Sequence, residues 1–204
     1  TRWFTDRGDS TARLNYNLTT NSVVFDVGGF EGEWTQSIID RYNPYVYIIE
    51  PVHQYYTLLS NKFKNNNKVT VINCGISNNN KIAEFYLHPV FPDGSSEFSN
   101  SPGNQLKETV TLRKFTEVIN NTVGDKTIDL MKINIEGGEF FAMPDIIESN
   151  KIKQITDLQI QFHHDCSNID NPKEKRNLIH QDLIKTHQMS WCYEFVWENW
   201  KKNV

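Results

Sequence analysis

A chain of 204 residues with 38% hydrophobic and 23% charged positions has the size and make-up of one soluble domain with a proper core. Its formal net charge of −4, with no basic stripe, excludes the usual nucleic-acid binder. Its clean apolar runs, such as Tyr45 to Ile49, fall far short of the roughly 20 residues that span a bilayer.

Short apolar runs alternate with helical periodicity, which predicts an α/β fold, a doubly wound and mostly parallel sheet sandwiched by helices. Ser22 to Val27 reads as a buried strand. A helix follows from about Glu31, with Trp34, Ile38 and Tyr42 on one face, and Asn43-Pro44 stops it. Tyr45 to Glu50 is the second strand, and Pro51 opens a helix whose apolar face is Tyr55, Leu58, Leu59 and Phe63. Turns at Asn65 to Asn67 and Asn78 to Asn80 lead into strands Val69 to Cys74 and Ile82 to Leu87. His88 to Gln105, rich in Pro, Gly and Ser, is expected to be a loop that closes over the site. There follow a helix around Leu112 to Ile119, a strongly apolar strand Ile128 to Ile135, and a helix Phe140 to Ser149. Strand Ile155 to Phe162, a helix from about Lys173 to His187 and an aromatic strand Trp191 to Trp197 complete the chain.

Cys74, Cys166 and Cys192 are an odd number without metal spacing, so free thiols in a reducing, cytoplasmic compartment are expected. Thr1 to Ser10 is polar and charged, unlike a signal peptide, and the Asn-x-Thr triplets at Asn17 and Asn120 read as accidental. A start at Thr1 rather than Met leads us to expect one domain, 1–204, excised from a longer protein.

In parallel sheets of this kind, ligands collect beyond the carboxyl ends of strands, where strand order reverses. The first strand runs into Asp26-Val-Gly28-Gly-Phe-Glu-Gly32. Phe30 and Glu33 stand where a dinucleotide fingerprint needs glycines, and no Gly-Lys-Ser/Thr follows for a P-loop. Glu31 and Glu33 complement a helix N-terminus but repel a pyrophosphate. A cationic or zwitterionic ligand such as S-adenosylmethionine suits the loop better, and Asp26 stands where it could attract the positive end. Glu50, ending the second strand, can accept both hydroxyls of a ribose, each bond contributing roughly 1.5–3 kcal/mol. Asn73, Gly75 and Ile76 are placed to meet an adenine edge.

Val23-Val-Phe-Asp26-Val-Gly28-Gly, Ile49-Glu50-Pro51 with Tyr55 and Leu59 following, and Ile128-Asp-Leu-Met-Lys132-Ile-Asn134-Ile-Glu136-Gly137-Gly-Glu139 together resemble the FkbM-type methyltransferases, from Ser22 to Glu139. A looser echo follows in Gln161-Phe-His163 and Trp197-Glu-Asn-Trp200. The resemblance implies a class I methyltransferase (Rossmann-like) fold, S-adenosylmethionine as donor, and O-methylation of a sugar or polyketide hydroxyl. It carries the cofactor roles onto Asp26, Gly28, Gly32 and Glu50. Asn134 stands where the family's motif has Asp.

Methyl transfer to an alcohol needs the oxygen held in line and its proton collected. Lys132, Asn134, Glu136 and His163 are the candidates around the acceptor, all at strand ends. His163 has the ordinary pKa best suited to a base. Lys132, in an apolar strand, requires a partner such as Glu136 or Glu139, and that pair is also readable as a structural ion pair. Of His163 and His164, one is expected to be packing. Mg or Mn bound by Asn134, Glu136 and a histidine is chemically conceivable but not favoured, because Asn134 is neutral. Trp191, Tyr193, Phe195, Trp197 and Trp200 read as core or edge cover before sugar platform. The expected activity is methylation of a glycan hydroxyl, for instance on a deoxyhexose such as rhamnose. Fused glycosyltransferase domains and a viral source (hence the host cytoplasm) accompany it. A polyketide or other small-molecule hydroxyl, and a non-catalytic cofactor- or glycan-binding module, are the rival readings.

Overall fold

The computed structural model describes residues 2–87, 106–166 and 169–203, so the loop expected at His88 to Gln105 lies outside the described residues. A short helix, α1 (Arg2–Thr5), precedes β1 (Val23–Val27), α2 (Glu33–Tyr42), β2 (Tyr45–Ile49), α3 (His53–Phe63) and β3 (Val69–Ile72). Then come β4 (Gly75–Ser77), β5 (Lys81–Leu87), β6 (Leu106–Lys114) and α4 (Phe115–Thr122). The remainder is β7 (Ile128–Ile133), α5 (Glu139–Glu148), β8 (Ile155–Ile160), α6 (Pro172–Leu183), β9 (His187–Tyr193) and β10 (Trp197–Lys202).

The main sheet has seven strands in the order β3-β2-β1-β7-β8-β10-β9. The first five are mutually parallel, and β10 runs antiparallel to both β8 and β9. Chain order reverses between β1 and β7, so the crevice expected to hold a ligand opens beyond those two strands. Successive side chains alternate between two cores. Val24 and Leu130 join Ile38, Leu59 and Phe63 of α2 and α3 on one face. Phe25, Val27, Met131 and Ile133 face α4, α5 and α6 on the other.

The same alternation places one polar residue per strand on the α2 side. Asp26 of β1 pairs in register with Lys132 of β7, Lys132 with Gln159 of β8, and Gln159 with Asn199 of β10. All four are buried. The segment before β1 lies over this row. Gln159 donates to the Arg13 carbonyl (3.0 Å) and accepts from Arg13 Nε (3.1 Å), and the Tyr16 hydroxyl donates to Asn199 (3.0 Å).

Three expectations change. Leu112 was expected to start a helix, but it sits in β6, and the helix begins at Phe115. With β4 and β5, β6 forms a second, three-stranded sheet, antiparallel between β5 and β6. Trp191 to Trp197 is not one strand: Trp191 to Tyr193 end β9, residues 194–196 turn, and Trp197 opens β10, the turn closed by the Val196 N–H on the Tyr193 carbonyl (2.8 Å). The last helix ends at Leu183, and His187 begins β9. All three cysteines are free thiols. Among the described residues no helix is long and apolar enough to cross a membrane.

Candidate active site

A cavity of about 240 Å³ opens at the carboxyl edge of the main sheet, between the loops after β1, β2 and β7. Its floor is the glycine loop. Gly28 has φ 86° and Gly32, capping α2, has φ 76°, both in the left-handed region that glycine enters without penalty. A Cβ on Gly28 would collide with the Asn134 carbonyl oxygen, so the two loops approach this closely only because side-chain atoms are missing there. The Asn134 N–H donates to the Val27 carbonyl (3.0 Å), which fixes the junction.

Glu50 forms one end of the cavity. Its carboxylate accepts from the backbone N–H of Val52 (2.9 Å) and of Phe30 (3.0 Å). Burial pushes its pKa up to about 7, against those two bonds and the charge of Lys132. Gly75 and Ile76 line the wall beside it, together with Tyr55, Phe85 and Leu112. Phe85 and Leu112 belong to the small sheet, which sequence periodicity did not foresee. Asn73 does not reach the wall; its amide donates to the carbonyls of Glu50 (3.0 Å) and Pro51 (3.1 Å), bracing the loop that carries Glu50.

Asp26 also lies behind the wall. It accepts from Lys132 Nζ (2.8 Å) and the Thr35 hydroxyl (2.5 Å), and Lys132 donates again to the Gly28 carbonyl (2.6 Å). Lys132 was expected to pair with Glu136 or Glu139. Its partner is instead Asp26, because parallel pairing sets the two opposite each other on one face. Burial lowers the Lys132 pKa, and the Asp26 charge partly restores it. Lys132 still lines the cavity, as does Asn134, whose buried Oδ1 has no hydrogen-bond partner among the described residues. An acceptor left unpaired in a protein interior costs about 1–3 kcal/mol, so it calls for an explanation.

Glu136 follows, on the wall, with its backbone held at φ 49°. His163 is clamped between two carboxylates, Nε2 3.0 Å from Glu136 and Nδ1 3.0 Å from Glu139. Glu139 also accepts from the backbone N–H of Gly137 (2.9 Å) and of His163 (2.8 Å). Burial pulls the imidazole pKa down, and the bonds and charges of Glu136 and Glu139 outweigh it, raising it to about 10. With both ring nitrogens engaged and the ring charged at neutral pH, His163 has no lone pair to accept a proton. His164 is exposed and packs near Phe195. Among the described residues no three His, Cys, Asp or Glu side chains gather as metal ligands.

Sequence reasoning gave no site role to Arg13 or Trp34, both on the wall. The Trp34 indole N–H donates to the Arg13 carbonyl (3.2 Å). Trp197 and Trp200 are buried, and Trp191 packs against Trp3 and Tyr193, in keeping with core and edge cover.

The methyltransferase FkbM domain model matches residues 26–181. No curated protein matches the chain in sequence. Among solved structures, a protein assigned as an rRNA methylase from Clostridium thermocellum superposes with a TM-score of 0.58 at 10% identity, covering 98% of this chain and 96% of its own. An rRNA methylase from Streptococcus thermophilus gives 0.53 at 11% identity, covering 99% and 97%. Aeropyrum pernix fibrillarin, crystallised with natively bound S-adenosyl-L-methionine, gives 0.53 at 8% identity, covering 90% and 67%. At such identities these similarities speak for a shared class I methyltransferase fold.

Proposed function

This chain belongs to the FkbM methyltransferase family and uses S-adenosylmethionine, and from that premise we propose that it methylates a hydroxyl group of a sugar. The observation that carries the reading is the pair of oxygen acceptors beside the glycine loop, the orphaned Asn134 Oδ1 and the Glu136 carboxylate. The first has no donor among the described residues and the second is bonded at Oε1 by His163; a hydroxyl between them would donate to either.

The residues present fit the cofactor. Gly28 and Gly32, both at positive φ, shape the turn and let it pack tightly against Asn134, Leu59 and Phe63, and Glu50 is buried with lone pairs left for the ribose hydroxyls. Gly75 and Ile76 would flank the adenine, and Asp26, locked by Lys132 and Thr35, holds the loop in shape from behind. When bound, S-adenosylmethionine supplies a methyl group on a positively charged sulfur. Asn134 would orient the acceptor hydroxyl, and Glu136 would take up its proton. His163, charged, is a positioning residue that holds Glu136 toward the cavity while Glu139 holds His163.

A sugar is favoured over a polyanionic acceptor because Glu31, Glu33, Glu50 and Glu136 all line the cavity, together with the aromatic Trp34. The glycan reading brings with it a glycosyltransferase as functional neighbour, and the free thiols suit the cytoplasm. The test is methyl transfer from labelled S-adenosylmethionine across an acceptor panel. Label is expected in free sugars and oligosaccharides, deoxyhexoses included. Label confined to polyketide-like alcohols or to RNA overturns the sugar assignment.

A further inference from the structure

Arg13 is a cation whose neighbours leave part of it unused. It sits in the segment before β1, outside the residues matched by the family model, yet lines the same cavity as Gly28 and Lys132. Only 16% of its side chain is exposed. The guanidinium stacks over the Trp197 ring, 4.0 Å from Cζ to the ring centre. Nε donates to Gln159 (3.1 Å) and Nη1 to Asp9 (2.9 Å), and no hydrogen bond is made by Nη2 among the described residues. Asp9 is a weak counter-charge, since 62% of its side chain is in solvent.

The charges around this end of the cavity are unbalanced. Arg13 and Lys132 both feel Asp26, and Asp26 is already bonded to Lys132. Burial lowers the Arg13 pKa despite Asp9, the mark of a cation short of compensation. One more negative group would settle it. A guanidinium held flat by an aromatic ring and fixed at two nitrogens is pre-organised to receive a carboxylate. The acidic end of the same cavity, at Glu50, is unsuited to one.

We propose that Arg13 is the carboxylate receptor of the cavity, binding the α-carboxylate at the methionyl end of the cofactor through Nη2. The inference rests on the cofactor assignment. The cofactor then lies across the strand edge with its ribose hydroxyls at the anionic end and its carboxylate at the cationic end. The segment before β1 becomes part of the binding site rather than packing alone. An acidic sugar presents the same chemical group, so the test separates the two sources.

Calorimetry with S-adenosylhomocysteine and with 5′-methylthioadenosine, which lacks the amino-acid end, reads the assignment. In Arg13→Gln the first ligand is expected to bind about 10- to 100-fold more weakly, the loss of a charge-assisted contact, while the second binds as to the wild type. Arg13→Lys should recover part of the loss, since it keeps the charge but not the fork. Both ligands weakening together, or neither weakening, overturns the proposal. Loss of glucuronate binding in Arg13→Gln with S-adenosylhomocysteine affinity intact moves the carboxylate to the acceptor and likewise overturns it. Where Arg13→Gln does not fold, Asp9→Asn serves. Freeing Nη1 should tighten S-adenosylhomocysteine alone, and unchanged or weaker binding counts against Arg13. Wild-type protein that binds neither ligand overturns the cofactor reading itself, and Arg13 with it.

Discussion

Glu50 and Glu136 both follow a strand on the same edge of the sheet, and both line the cavity, but they are held in opposite ways. Glu50 is gripped by two uncharged backbone N–H groups, and burial brings its titration up to about pH 7. Glu136 rests against a histidine that stays charged to about pH 10. Neutral donors leave the first carboxylate free to exchange bonds with neutral hydroxyls. A full positive charge keeps the second fixed in place. On the function proposed above, the half of the site beyond β2 serves recognition and the half beyond β7 handles a proton.

That division can be broken by experiment. Glu136→Gln should lower turnover by about 10²- to 10⁴-fold, the usual contribution of a general base, with S-adenosylhomocysteine affinity kept in calorimetry. Equal losses in both would merge the halves into one. Glu50→Ala should act the other way, weakening S-adenosylhomocysteine by about 10- to 100-fold; undiminished affinity would remove the ribose role. The pH dependence sharpens the same contrast. Wild-type affinity should decline as pH drops below about 7, where Glu50 takes up its proton, by at most about tenfold per pH unit, and Glu50→Gln should show no such decline.

The smallest effect concerns stability. The folded His163 titrates near 10, above its ordinary 6.5, so its pairing contributes fully below pH 6.5 and fades as pH rises toward 10. Melting temperature of the apo protein should therefore fall between pH 7 and 10, by roughly 5 °C or more, and His163→Gln should melt lower but with a flatter profile. A variant with the wild-type slope would assign the loss to other groups.

Much of the fold was legible because β1, β2, β7 and β8 are largely buried and rich in apolar residues, and turn-forming residues bound most of them. Glu50, Gly28, Gly32, Asn134 and Glu136 were legible as strand-end residues. The small sheet was not. Leu112, Phe115, Val118 and Ile119 have helical spacing, although Leu112 closes the alternation of a strand and only the others belong to α4. The β9–β10 turn carries no Gly, Pro or Asn; it bends through Phe195 at φ 53°, a conformation a bulky aromatic seldom adopts. Nor did spacing reveal Lys132 with Asp26 or the place of Arg13, since both depend on which strands lie side by side.

The row Asp26, Lys132, Gln159 and Asn199 has a consequence for how the sheet assembles. Parallel strands rich in Val, Ile and Leu slide past one another at little cost, because one apolar side chain replaces another. A one-residue slip of β7 against β1 would send Lys132 to the opposite face, among Phe25, Phe115 and Met143, without its counter-ion. Stranding such a charge costs about 3–5 kcal/mol, a large share of what holds a domain together. Four polar side chains, one per strand, thus act as a proofreading mark for strand alignment, admitting a single pairing from among many that hydrophobicity alone would accept.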